Sequence, residues 1–428
     1  MGSTLVKRAQ MFLVLASLQL LPRVASAQPQ EGDAYSEALP VIPNRLTQPP
    51  LSAIKPIKSK DDWTGRAVRG RDGRYHLPSH GQPVLTLDPR LHDGLNKILR
   101  DYGTPYGAVV ALEPDTGRIL AMAEHSEDRP ELRGLCTRAA FPAASIFKIV
   151  TAAALLDAGV GPEDRACSHG GARALTEKLL KDSARDRQCY SLNQAMGKSA
   201  NVVFAKLTHK YLSADSLRRL AGAFRFNRPI EFNLPIEVSL AAIPEDPFRL
   251  ASTGAGFGDV YLSPLHGAMV ASVVATGGLW RGPVLLEGSR VLPPTRAISG
   301  ASARALSRMM EETVTAGTAR RIFRQRGYAV RDAAGKTGTL ADRKPFRDYS
   351  WFVGFAPKSH PRIAVAAVVV NGPRWKIRAT YLGREAMRLY ALVQAGIPSA
   401  AEPAPAPASE PDEPEEKGEG EEAPALEE

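Results

Sequence analysis

The sequence predicts an α+β fold, an antiparallel sheet flanked by helices with a helical insert between its strands. Three observations carry this expectation. Two short apolar runs flank a glycine turn near residue 115. Helical periodicities recur between residues 144 and 316. A second group of apolar runs lies between residues 331 and 370, with one more helix after it. The chain has 428 residues, 44% hydrophobic and 23% charged. That is ordinary globular composition, with length for one large domain or two medium ones.

Residues 1–27 read as a secretory leader. Lys7 and Arg8 precede an apolar run from Met11 to Leu21, Pro22 ends it, and Ala25-Ser26-Ala27 offers a cleavage site. The run is about eleven residues, whereas a spanning helix needs about 20. A cleaved signal is therefore expected rather than an anchor, and no Cys marks a lipid attachment. The protein is expected to be exported, to the periplasm or the outer face of the cytoplasmic membrane, with the N-terminus as the place where it can contact membrane. Residues 28–83 are Pro-rich and charged with no sustained period, a linker or reduced N-terminal flank.

The main domain is expected over residues 84–397. Asp88-Pro89 opens a helix in which Leu91, Leu95 and Leu99 recur at helical spacing through Tyr102. Ala108–Ala111 and Ile119–Ala123 around Pro114-Asp115-Thr116-Gly117 form a hairpin. Helices follow over Ala144–Ala158, Leu192–Gly197, Val202–Tyr211, Pro264–Ala275 and Ala301–Ala316, several of them closed by glycine. Strands then run over Arg331–Leu340, Tyr349–Ala356 and Ile363–Val370, and a helix over Tyr381–Ala395 closes the domain. Residues 398–428 make an acidic Pro/Glu-rich tail. Ser399 to Glu428 hold ten Glu and one Asp against Lys417, a net of −10. With almost no large apolar residue, such a segment cannot offset the entropy of ordering and is expected to be disordered.

The whole chain carries +10. Setting aside the tail at −10 and the leader cations Lys7, Arg8 and Arg23 leaves a body of +17. A basic exported body suits an anionic neighbour such as wall polymer or lipid headgroups. Export, and the lack of a zinc-finger or aromatic-basic signature, argue against nucleic acid. Cys136, Cys167 and Cys189 give one disulfide and one free thiol in an oxidising compartment. Cys167 and Cys189 enclose a short loop and are the preferred pair, with Cys136 open as an alternative partner.

Three motifs carry the chemistry, in order: Ser145-Ile146-Phe147-Lys148, Ser199-Ala200-Asn201 and Lys336-Thr337-Gly338-Thr339. Serine is a weak nucleophile until a base takes its proton. Positions i and i+3 share a helix face, so Lys148 stands beside Ser145. A lysine serves as base only when neutral, and burial near another cation such as Lys336 favours that form. The helix N-terminus adds positive potential at Ser145. Ser199 and Asn201 can relay a proton and hold a substrate amide. A strand bearing Lys336 to Thr339 can pair with an extended peptide, Gly338 allowing close approach. Backbone N–H groups of Ser145 and Thr339 would then face the oxyanion.

Ser-x-x-Lys alone is weak, with roughly one or two chance matches in a chain this long. Ser52-Ala53-Ile54-Lys55 is such a match, in the Pro-rich flank, and is set aside. Ser191-Leu192-Asn193 repeats Ser-x-Asn but reads as a helix N-cap. The ordered trio is far more specific.

Around the trio the chain resembles the penicillin-binding protein transpeptidase domain. The resemblance runs from Val84-Leu85-Thr86-Leu87-Asp88-Pro89 through Asp115-Thr116-Gly117, Phe141-Pro142-Ala143-Ala144 and Lys198 to Phe204. It continues through Ser263-Pro264-Leu265-His266, Gly277-Gly278, Gly317-Thr318-Ala319 and Trp351 to Pro357, covering about Val84 to Ala395. It implies a β-lactamase/transpeptidase-like fold of the monofunctional, class B-like kind. It also implies a penicillin-sensitive serine D,D-transpeptidase acting on D-Ala-D-Ala stem peptides of peptidoglycan. Ser145 would be the nucleophile and Lys148 the base. Lys336, Thr337 and Thr339 would meet the substrate carboxylate, and β-lactams would acylate the same serine. No cofactor or metal is implied, and the implied partners beyond substrate are cell-wall synthesis proteins. His266 stands where the pattern usually has Gln and reads as structural. The alternatives are a D,D-carboxypeptidase, a serine β-lactamase and a non-catalytic wall-binding scaffold. A class A β-lactamase would need Glu-x-x-Leu-Asn after Ser199, and Glu231-Phe232-Asn233 lacks that spacing.

Overall fold

A computed structural model describes residues 67–397, except 79–80, 171–174, 326–329, 331, 344–345, 375 and the side chain of Arg343. These residues belong to one compact unit, Leu39–Glu428. The leader at 1–27, most of the flank, Ser52, Arg331 and the tail at 398–428 lie outside the described residues.

The described part of the flank is a two-stranded hairpin, β1 (Val68–Arg69) and β2 (Tyr75–His76). Arg69 and the Tyr75 hydroxyl both bind Asp93 on the first helix, so this stretch is docked onto the domain. That helix, α1 (Pro89–Asp101), starts where Asp88 Oδ1 accepts from the Arg90 and Leu91 amides at 2.9 and 3.1 Å, with Pro89 in its first turn. The hairpin β3 (Tyr106–Leu112) and β4 (Ile119–His125) follows as expected, β3 extending its apolar run at both ends and β4 by two residues at its C-terminal end.

The chain then enters the helical insert. β5 (Phe141–Pro142) leads through a 3₁₀ turn, Ala144–Phe147, into α2 (Lys148–Asp157). The sequence predicts one α-helix from Ala144, but the first turn is tighter. It is entered through Ala144 at φ 48°, a left-handed conformation no regular α-helix accepts. The strands β6 (Arg165–Ser168) and β7 (Gln188–Ser191) form a hairpin in which Cys167 and Cys189 are paired residues joined by a disulfide, with Cα atoms 3.9 Å apart. Cys136 is a buried free thiol. Helices α3 (Leu192–Lys198), α4 (Asn201–Tyr211) and α5 (Ala214–Ala223) come next. After them stand β8 (Leu240–Ala241), α6 (Pro247–Gly254), β9 (Val260–Leu262) and α7 (Pro264–Ala275). The short pair β10 (Leu279–Trp280) and β11 (Thr295–Arg296), then α8 (Gly300–Thr315) and α9 (Arg320–Phe323), complete the insert.

The chain returns to the sheet with β12 (Ala334–Arg343), β13 (Phe346–Ala356) and β14 (Ile363–Asn371), and ends in α10 (Ala379–Gln394). The five strands lie in the order β12-β13-β14-β3-β4, every neighbour antiparallel. This is the expected sheet built from both ends of the domain. Its central strand, IAVAAVVVN, is buried along its whole length because both faces are covered. One face packs against α1 and α10, and the other carries α7, which is apolar nearly all round and buried accordingly. A Cβ on Gly383 would lie 2.3 Å from Phe352, so α10 seats directly on the sheet. Among the described residues no helix is long and apolar enough to cross a membrane.

Candidate active site

Three elements bring the three motifs together. Ser145 lies in the 3₁₀ turn ahead of α2, half-buried, and Lys148 is the first residue of α2 and fully buried. Ser199 caps the C-terminus of α3 at φ 57°, and the chain restarts as α4 at Asn201. Such a left-handed non-glycine residue costs about 1–2 kcal/mol. Here it turns the Ser199 side chain back into the space between the helices. Lys336 sits on β12, the edge strand of the sheet, and is also fully buried.

Lys148 Nζ lies 3.0 Å from Ser145 Oγ, 2.8 Å from the Ser199 carbonyl, 3.2 Å from Ser199 Oγ and 2.6 Å from Asn201 Oδ1. Lys336 Nζ donates to Ser199 Oγ at 2.9 Å and to the Thr337 carbonyl at 2.8 Å. A neutral amine has two N–H groups and one lone pair. On Lys148 the two carbonyl oxygens, which only accept, take the two N–H groups. The lone pair is left to accept the Ser145 hydroxyl proton. Ser199 Oγ stands between both lysines.

Electrostatics favour that neutral form. Burial pushes the Lys148 pKa well below its usual range, and the charge of Lys336 pushes it the same way. Burial alone brings Lys336 down to about 7. Among the described residues no carboxylate pairs with either lysine, and the Phe204 ring lies 5.5 Å from Lys148 Nζ.

Close approaches fix the parts. Gly338 would place a Cβ 3.3 Å from Ile146 and 3.4 Å from the Ala143 carbonyl, so β12 lies along the nucleophile turn. Gly256, at φ 92°, would place one 2.7 Å from the Ala144 carbonyl and 3.0 Å from the Ser145 nitrogen. Only glycine lets that loop touch the turn. Thr318 Oγ1 is 2.5 Å from Thr337 Oγ1, and the Thr318 amide donates to the Gly197 carbonyl at 3.1 Å. The roles of Gly256 and Thr318 escape motif reading. Gly254 to Gly258 is a glycine-rich run, but nothing in it reveals which backbone it will meet.

Thr337 is half-buried, while Thr339 is exposed at the sheet edge. Ser191 is not in the site. Its Oγ accepts from the Gln194 amide at 3.3 Å and its amide donates to Gln194 Oε1 at 3.1 Å, a capping box that opens α3. His266 is fully buried, and its Nε2 donates to the Phe224 carbonyl at 2.6 Å. Burial lowers its pKa to about 4, so it is a neutral structural ring between Phe226 and Trp280.

The model of the penicillin binding protein transpeptidase domain matches residues 107–387. Peptidoglycan D,D-transpeptidase PbpA of Mycobacterium tuberculosis is 30% identical over 355 residues, covering 73% of this chain and 70% of that protein. Among solved structures, penicillin-binding protein A of M. tuberculosis as an imipenem acyl-enzyme complex is 26% identical, with TM-score 0.59, over 72% of this chain and 79% of that one. The D,D-transpeptidase domain of a peptidoglycan glycosyltransferase from Eggerthella lenta, at 24% identity, shares the fold with TM-score 0.62, over 77% of this chain and 96% of that one.

Proposed function

The chain belongs to the penicillin-binding protein transpeptidase family, and we propose that it is a serine D,D-transpeptidase with Ser145 as nucleophile. The observation that carries this is Ser145 Oγ at 3.0 Å from the Nζ of a fully buried Lys148 that no carboxylate among the described residues pairs with. Ser145 attacks the carbonyl of the penultimate D-Ala of a stem peptide as its proton passes to Lys148. The departing D-Ala amine receives a proton returned from Lys148 through Ser199. The acyl group then passes to an acceptor amine.

The donor peptide pairs with the free edge of β12. Its carboxylate meets Thr337, Thr339 and the charge of Lys336, while Asn201 holds the amide. The Ser145 and Thr339 amides receive the oxyanion. A β-lactam enters the same path and stays on Ser145. Among the described residues no carboxylate bonds to Ser145, Lys148 or Ser199, so the ester lacks the water-activating group a class A β-lactamase uses. The rest of the chain fits an exported enzyme, with 1–27 as leader, 28–83 as flank, 84–397 as the catalytic domain and 398–428 as acidic tail. The basic body faces wall polymer and the proteins that build it.

The test is intact-protein mass after incubation with penicillin G. One penicilloyl adduct mapping to Ser145 is expected, absent in Ser145→Ala and unchanged in Ser52→Ala. An adduct that survives Ser145→Ala rules the assignment out.

A further inference from the structure

Two bridges cross the gap between α3 and β12. One is the bond from Lys336 Nζ to Ser199 Oγ at 2.9 Å. The other lies one residue along β12 and two residues back along α3, and it passes through Thr318. The Thr318 amide donates to the Gly197 carbonyl at 3.1 Å, and its Oγ1 lies 2.5 Å from Thr337 Oγ1. The turn that carries Thr318 is held on its other side by α8. The Gly317 amide donates to the Glu312 carbonyl at 2.7 Å, the Ala319 amide donates to the Thr313 carbonyl at 2.9 Å, and Ala319 is fully buried. A Cβ on Gly317 would fall 2.0 Å from the Gly197 carbonyl, so only glycine lets the turn lie this close to α3. Thr318 itself is exposed, and its hydroxyl has no other hydrogen-bond partner among the described residues.

We propose that Thr318 is a positioning residue for the donor's carboxylate: its hydroxyl gives its proton to Thr337 Oγ1 and so turns the Thr337 proton toward the substrate. The inference rests on the reading above, in which Thr337 meets that carboxylate. A carboxylate only accepts, so a hydroxyl that holds it must donate. Thr337 has one hydroxyl proton, and at 2.5 Å one of the two threonine hydroxyls gives its proton to the other. If Thr337 gives, it faces the carboxylate with lone pairs alone. If Thr318 gives, the Thr337 proton is left for the substrate. The arriving negative charge selects the second arrangement, because the two bonds then run head to tail and strengthen each other. Thr318 has the stiff χ1 of a β-branched residue and a backbone held from two sides, so the proton is aimed before the substrate arrives. Its part is in binding the donor and not in the proton transfer at Ser145.

The test follows acylation of Ser145 in the full chain by two D-alanyl thioester donors, one ending in a carboxylate and the other in the corresponding amide. The concentration dependence separates affinity from the limiting rate. Thr318→Val keeps the shape and removes the hydroxyl. With the carboxylate donor its second-order rate constant should fall roughly three- to tenfold, the usual worth of one hydrogen bond. The loss should sit in affinity, should be clearly smaller with the amide donor, and should be restored by Thr318→Ser. In a Thr337→Val background the same change should cost nothing further, because the hydroxyl it acts through is gone. No loss in Thr318→Val, or an equal loss with both donors, overturns the proposal. So does a loss that persists undiminished when Thr337 is replaced, since Thr318 would then act on the substrate by itself. Equal losses with both donors in Thr337→Val overturn the carboxylate site at Thr337, and the role of Thr318 with it. A wild type that neither donor acylates on Ser145 overturns the enzyme reading as well.

Discussion

Two groups of buried cations lie on opposite faces of the sheet, and one carboxylate separates their behaviour. On the α10 face, Arg384 and Arg388 are held by Glu385, its Oε1 2.7 Å from Arg384 Nη1 and its Oε2 2.7 Å from Arg388 Nε. On the other face, Lys148 and Lys336 share Ser199 Oγ and have no such partner. Desolvation penalises all four charges. The guanidinium groups cannot shed theirs and need Glu385. The amines can lose a proton, and without a carboxylate burial makes both easier to discharge, Lys148 more than Lys336, whose remaining charge pushes its neighbour the same way. A buried cation with a counter-charge holds the fold together. The same charge left unmatched becomes a base.

Breaking the second group should cost chemistry and not stability. Lys148→Met should slow acylation by about 10²–10⁴-fold, the usual worth of a positioned base, while the melting temperature stays level or rises. Stopped-flow acylation and calorimetry on the same preparation check both halves. Breaking the first group should do the reverse. Glu385→Gln strands two buried guanidinium groups and should cost about 3–5 kcal/mol, a fall of roughly 10 °C or more in melting temperature. The fraction still folded should acylate at the normal rate. A large acylation defect in that variant would mean the two faces are coupled and the contrast is false.

The sheet and the trio were legible from the residues because their signals are local. Apolar runs set β3, β4, β13 and β14, and three-residue spacing sets Lys148 beside Ser145. Strand ends differ, since β12 begins at Ala334 and Ala341 to Arg343 pair with Phe346 to Asp348, a polar stretch beyond the apolar runs. Helices α5 and α6 escape the apolar periodicity, although Ser213 caps one and Asp246-Pro247 opens the other, because each is too short for the period to repeat more than two or three times. The strands β6 and β7 are short and polar, held by a disulfide rather than by an apolar face. What the sequence could not give was the tertiary part of the site. The left-handed Ala144 and Ser199, the Gly256 contact and the Thr318–Thr337 contact each depend on a partner far away in the chain.

A pH-dependent effect bears on the central claim, because it concerns the proton and not the scaffold. Lys336 holds its proton to about 7 in the fold against 10.5 in an open chain. The unfolded chain therefore binds the extra proton between those values, and stability rises with pH across that window. Lys336→Met should lose the share of this rise that Lys336 contributes, a few kcal/mol at most, and keep that of Lys148.

The decisive measurement is the pH dependence of the second-order acylation rate constant in the wild type and in Lys336→Met. Acylation needs neutral Lys148, so the rate should fall on the acid side as that amine takes a proton. Removing the Lys336 charge lets Lys148 hold its proton more tightly, so the acid limb should move to higher pH. A limb that stays in place or moves to lower pH would contradict a lysine base held uncharged by burial and by its neighbour.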